Sequence, residues 1–189
     1  MKSFFVSLAL LAATISQATV NFKLTTNGMV LYLHTLSIQK TDINVKINDQ
    51  EGNTIYSKTF KSAEANRAKK FNLAQVEPGT YEVSISDNFG TTRQSVTKLT
   101  SGLLVNDGVK VFIQPQFILK GRHLGVNYLN LNNLSTLRIL DPNNNLLYSS
   151  EVTIPNYSKQ FDLSKLIAGE YTVAIDHDGE SFQKTIILN

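Results

Sequence analysis

Chemistry needs side chains that can act together, and the sequence offers few. Its three histidines fall in unrelated places: His34 in a strand-like run, His123 in the turn Lys120-Gly121-Arg122-His123, and His177 in a hairpin-like segment. No two share the i, i+4 spacing of a helical zinc pair, so each reads as a surface or strand polar residue. Cysteine is absent, which excludes thiolate nucleophiles, thiolate metal sites and disulfides together. There is no Gly-x-Ser-x-Gly elbow, Walker loop or dinucleotide fingerprint. The inventory therefore gives no catalytic, cofactor-binding or metal residues, and the chain reads as a non-enzyme without a cofactor.

Three weaker constellations remain. Asp176 and Asp178, with Asp87-Asn88 at the matching place further up the chain, supply oxygen ligands of the kind calcium takes. Calcium wants six to eight oxygens, however, and turn chemistry accounts for these residues without a metal. Lys58, Lys61, Arg67, Lys69 and Lys70 gather positive charge that could meet an acidic partner, although interspersed charges between strands are ordinarily solvated. Aromatics such as Tyr128 or Tyr157 would form a sugar-stacking platform where they are exposed.

These residues are carried on a framework that the sequence states twice. Ile47-Asn48-Asp49, Ile55-Tyr56-Ser57 and Phe71-Asn72-Leu73-Ala74-Gln75-Val76-Glu77-Pro78-Gly79-Thr80-Tyr81 return about 90 residues later. The second copy reads Ile139-Leu140-Asp141, Leu147-Tyr148-Ser149 and Phe161-Asp162-Leu163-Ser164-Lys165-Leu166-Ile167-Ala168-Gly169-Glu170-Tyr171. A repeat of this length means a structural unit used more than once. The first copy divides into short β-type runs at Val20 to Leu24, Met29 to Leu36, Ile43 to Asn48, Thr54 to Phe60, Lys70 to Leu73, Tyr81 to Ser86 and Thr92 to Leu99. The second has them at Val109 to Ile113, Phe117 to Leu129, Thr136 to Leu140, Leu146 to Val152, Lys159 to Leu163, Tyr171 to Asp176 and Phe182 to Leu188. About seven short runs per copy, separated by turn residues, predict two tandem immunoglobulin-like β-sandwiches, an all-β fold.

Local chemistry agrees. Tyr81, Val83 and Ile85 alternate with Glu82, Ser84 and Ser86, which gives one apolar and one wet face. The turns contain residues that bond their own backbone or accept positive φ: Asp49-Gln50-Glu51-Gly52, Asp141-Pro142-Asn143-Asn144-Asn145 and Asp176-His177-Asp178-Gly179. Tyr81 and Tyr171 are expected to return their hydroxyls to the upstream turn, as a tyrosine corner does, with Gly79 and Gly169 permitting the bend. Ser62 to Lys69 reads as a loop or a single helical turn.

The chain opens on Met1-Lys2-Ser3, an apolar run from Phe4 to Ala13 and small residues at Ser16 and Ala18, the pattern of a cleaved secretory signal. Expected limits are residues 1–18 for the signal peptide, 19–103 for the first sandwich and 104–189 for the second. Losing Lys2 lowers the formal charge from +3 to +2, too little to imply nucleic acid as a partner. No later segment is long and apolar enough to span a bilayer as a helix. Hydrophobic residues at 42% and charged residues at 17% suit packed cores rather than disorder.

Phe161 to Val173 resembles the penultimate segment of the C-terminal sorting domains of type IX secreted bacterial proteins. Leu73 to Val83, with Pro78-Gly79-Thr80-Tyr81, is similar to fibronectin-like and other Ig-like surface modules. Two features depart from the sorting family: a Pro-Asn-Pro-like element is missing near Val109 to Phe117, and Ile186-Ile187-Leu188-Asn189 stands where a basic tail is usual. The expected function is a non-catalytic interaction or structural module that is extracellular, on the cell surface or periplasmic. Its partner would be a protein or glycan of the envelope or exterior. The alternative implied by the resemblance is that the second domain acts as a type IX sorting signal.

Overall fold

Alternating side chains become two layered frameworks in the computed structural model, which describes residues 21–35, 41–65, 67–131 and 134–189. The signal peptide expected at 1–18 lies outside the described residues. Contacts divide the described residues into two compact units, which part between Phe112 and Ile113.

The first unit contains β1 (Phe22–Asn27), β2 (Val30–Thr35), β3 (Ile43–Asn48), β4 (Thr54–Phe60), the short helix α1 (Ser62–Ala65), β5 (Lys69–Asn72), β6 (Gly79–Ser86), β7 (Gly90–Lys98) and β8 (Leu103–Ile113). One sheet has the order β1-β2-β5 and the other β4-β3-β6-β7-β8. The second unit contains β9 (Gln116–Lys120), β10 (His123–Leu129), β11 (Ser135–Leu140), β12 (Leu146–Val152), β13 (Asn156–Asp162), β14 (Gly169–His177) and β15 (Glu180–Leu188). Its sheets have the orders β13-β10-β9 and β12-β11-β14-β15. Strand for strand the second unit repeats the first, and β8 is the addition. Both are Ig-like β-sandwiches.

Each core lies between its two sheets because side chains on a strand alternate between faces. Leu31, Leu33, Val45, Ile47, Val83, Ile85 and Val96 are sealed in the first core. Leu124, Val126, Leu137, Ile139, Val173, Ile175 and Ile186 occupy the second. Register is kept: Val83 faces Ile47 and Val173 faces Ile139 across matching strand pairs. A one-residue slip would turn every one of these side chains to water, so burial enforces the pairing.

Two strand expectations change. Val109 to Ile113, read as the opening strand of the second copy, is the second half of β8 and belongs to the first unit's sheet. Contacts divide the two units after Phe112, near the end of β8. Leu103 and Val105 explain this, because they extend the alternation and pack on the first core before the chain departs. Phe117 to Leu129 is two strands, since Gly121 adopts φ 57° and turns the chain between β9 and β10.

Candidate functional site

The loops at one end of each sandwich rest on a single repeated device. Asp49 Oδ1 accepts the backbone N–H groups of Glu51 at 3.1 Å and Asn53 at 2.8 Å, while its Oδ2 accepts Asn53 Nδ2 at 3.0 Å. Asp141 does the same with Asn143 and Asn145, both at 2.8 Å, and with Asn145 Nδ2 at 2.9 Å. Gly52 at φ 87° and Asn144 at φ 62° complete the turns, residue types that tolerate that region. These hydrogen bonds hold both carboxyls below the usual aspartate range: the Asn53 side chain leads for Asp49, and the Asn145 side chain for Asp141.

The tyrosine corners close the same end. Tyr81 donates its hydroxyl to the Glu77 carbonyl at 2.6 Å, and Tyr171 donates to the Ile167 carbonyl at 2.9 Å. The expected glycine roles divide. Gly169 sits at φ 154°, and a Cβ there would lie 3.0 Å from Pro142 Cγ, whereas Gly79 has no positive φ and room beside Gln50. Only the second copy therefore needs its glycine at the bend. The neighbouring carbonyls are capped by unrelated cations: Lys98 Nζ reaches the Val76 carbonyl, and Arg122 Nη2 reaches the matching Leu166 carbonyl at 2.7 Å.

On this common scaffold the surfaces differ. In the first unit a cleft of about 480 Å³ lies among Asp49, Glu51, Ile55, Glu77 and Tyr81 and is acidic. At the same place the second unit presents Pro142, the exposed side chains of Leu147 and Ile167, and Lys165. One framework thus displays two chemistries.

The sequence candidates do not assemble into one site. His34 lies on β2, with Nε2 3.2 Å from Thr25 Oγ1, and His123 is exposed at the start of β10. His177 is the strand alternative of that reading, the last residue of β14, and is buried with Nδ1 2.7 Å from Ser135 Oγ. Nothing in its local sequence signals this; only the pairing of Thr136 with Asp176 brings Ser135 alongside. Asp176 is occupied by Arg138 Nε at 2.6 Å and Ser181 Oγ at 2.7 Å. Burial pushes its carboxyl up, but those two donors outweigh it and hold the group low. Asp87 Oδ1 accepts the N–H groups of Phe89 at 2.8 Å and Gly90 at 3.1 Å. Among the described residues no cluster of three or more His, Cys, Asp or Glu is placed to hold a metal ion.

The basic group is largely consumed by structure. Lys61 pairs with Asp42 at 2.8 Å, and the other oxygen of Asp42 accepts the Ser62 N–H at 2.9 Å where α1 begins. Lys69 is buried against the backbone, donating to the Ala65 carbonyl at 3.2 Å and to those of Glu64 and Arg67, and burial lowers its pKa. Lys58 lies over the Phe60 ring. The stacking platform fails too, since Tyr128 is in the core and Tyr157 is half-buried, its phenol pushed up to about 12 by burial. Among the described residues no helix is long and apolar enough to cross a membrane.

Comparison with known proteins sets this geometry in context. A DUF3244-family protein of Bacteroides vulgatus with an immunoglobulin-like β-sandwich fold is 17% identical, with a TM-score of 0.32, the match covering 49% of this chain and 95% of that one. The BSP domain of a biofilm-associated protein is 18% identical, with a TM-score of 0.31, over 88% of this chain and 29% of that one. No curated protein matches the chain. Residues 16–99 and 123–189, which take in most of both sandwiches, match the secretion system C-terminal sorting domain. With both copies of the framework included in that match, the chain belongs to the secretion system C-terminal sorting domain family.

Proposed function

We propose that the chain is an exported bacterial protein whose second sandwich is the address read by a secretion system of the type IX class. The match of residues 16–99 and 123–189 to the sorting-domain family carries this reading. The fold supports it physically: a cysteine-free sandwich closed by a tyrosine corner and an aspartate-centred turn presents a fixed surface without needing oxidation. The limits we assign are a leader at 1–18, a first module that begins at 19 and a second that runs to 189, with the join falling within β8 (Leu103–Ile113).

One observation favours a second role for the first sandwich. It has the same framework but gathers Asp49, Glu51 and Glu77 in its cleft where the second unit has Leu147, Ile167 and Lys165 among its residues, so its loops suit a protein or glycan partner of the envelope rather than the same receptor. In this reading the first unit binds and the second directs.

A secretion assay tests the sorting role. A fluorescent reporter inserted between the leader and residue 19 is expected to leave a type IX-competent cell when followed by residues 19–189, and to stay inside when the chain stops at Phe112. Equal release from both forms overturns the proposal.

A further inference from the structure

The two units differ most at one sheet edge. In the first, β7 is hydrogen-bonded to β6 on one side and to β8, a strand of 11 residues, on the other. The Leu99 N–H donates to the Gly102 carbonyl at 2.8 Å to close that hairpin. Gln94 Nε2 then donates to the Asn106 carbonyl at 3.0 Å, and Asn106 Nδ2 donates to Thr97 Oγ1 at 3.0 Å. In the second unit β15 takes the place of β7. Lys184 faces Val173 as Gln94 faces Val83, and Leu188 faces Gly169 as Lys98 faces Gly79. Yet β15 ends its sheet, and among the described residues no strand pairs with its outer side.

An open edge presents a row of backbone donors and acceptors, a template for another strand. Two side chains along this edge differ between the units. Where β7 meets Asn106 with the hydroxyl of Thr97, β15 offers Ile187, which is 58% exposed. Where Gln94 reaches the added strand, Lys184 donates to the Phe117 carbonyl at 2.8 Å, using one of its three N–H donors.

We infer that the outer edge of β15 is a strand-addition site for an extended segment of a partner protein, running antiparallel as β8 does on β7. That segment lays an aliphatic side chain on Ile187 and an acidic one toward Lys184. β8 indicates the occupant, because the same framework already accepts a strand at this edge within the same chain. Main-chain hydrogen bonds supply affinity and alternate side chains supply selectivity. A second copy of the chain fits less well, since antiparallel self-pairing centred on β15 sets Lys184 against Lys184, and like charges directly opposite are destabilising. Naming the partner as a component of the secretion machinery rests on the sorting reading; the site itself does not.

The test uses the full chain, isotope-labelled, mixed with a synthetic peptide of the β8 sequence, residues 103–113, carrying Asn106→Leu. The outward-facing β15 amides are expected to shift and to exchange at least tenfold more slowly, with those of β12 at the opposite edge unchanged. Ile187→Lys should weaken the peptide at least tenfold while β14 amides keep their protection, which shows an intact fold. Absence of an effect on β15, equal protection of β12, or self-association through β15 without peptide overturns the inference. In a secreting host, Ile187→Lys in the reporter fusion should reduce export at least tenfold. If the unaltered fusion is not exported, the sorting reading fails and the peptide experiment still decides the edge. If both fusions are exported equally, the edge is not where the machinery docks.

Discussion

Replacing Tyr171 by Phe removes one oxygen and leaves the ring, so it isolates the hydroxyl of the tyrosine corner. The lost interaction is the 2.9 Å bond to the Ile167 carbonyl. A neutral hydrogen bond contributes about 1 kcal/mol net, rising to about 1–3 kcal/mol when the abandoned partner is buried. The Ile167 side chain is 76% exposed, so water can reach that turn and the lower figure applies. About 1 kcal/mol corresponds to roughly fivefold in the opening equilibrium. Native-state amide exchange reads this in each sandwich separately: Tyr171→Phe should accelerate the slow amides of β14 about fivefold and leave β6 unchanged, and Tyr81→Phe should do the reverse. The reasoning fails if neither variant changes its own strand, or if each loosens both units equally.

Further predictions follow from the same loops. Gly169→Ala should cost about 1–3 kcal/mol because of its backbone conformation, whereas Gly79→Ala should stay within about 0.5 kcal/mol; urea midpoints check the difference. For Asp49 and Asp141 the folded pKa is depressed, so their stabilising effect is present above the unfolded aspartate pKa and is lost as pH falls through the lower folded value. The urea midpoint should therefore decline below about pH 4, and Asp49→Asn with Asp141→Asn should flatten that decline. Arg122→Met should lower the stability of the second unit by about 1–3 kcal/mol, since the half-buried Leu166 carbonyl loses a charged donor; an unchanged thermal midpoint would refute the cap.

The framework was legible because its signals are local. Alternation in Tyr81 to Ile85 fixed a strand, the aspartates fixed turns, and the spacing of Tyr81 from Glu77 was enough to foresee the corner. What could not be read depends on which strands meet. Nothing near His177 announces that Ser135 will lie beside it, because strand pairing and not sequence distance places them together. Tyr128 looked available only because its single alternating position on β10 gives no sign of which face is covered. The basic run around Lys69 resembled a patch until α1 supplied carbonyls for it to cap. The open edge of β15 was invisible for a related reason: Thr91 to Lys98 and Ser181 to Leu188 are similar strands, and only topology shows that one is covered.

Backbone amide exchange along β7 and β15 of the unaltered protein addresses most directly the idea of one framework used twice with a strand missing from the second. Protection should run continuously through Gly90–Lys98, which has neighbours on both sides, and alternate residue by residue through Glu180–Leu188, where every second N–H points away from β14. Continuous protection in both strands, or alternation in β7, would contradict it.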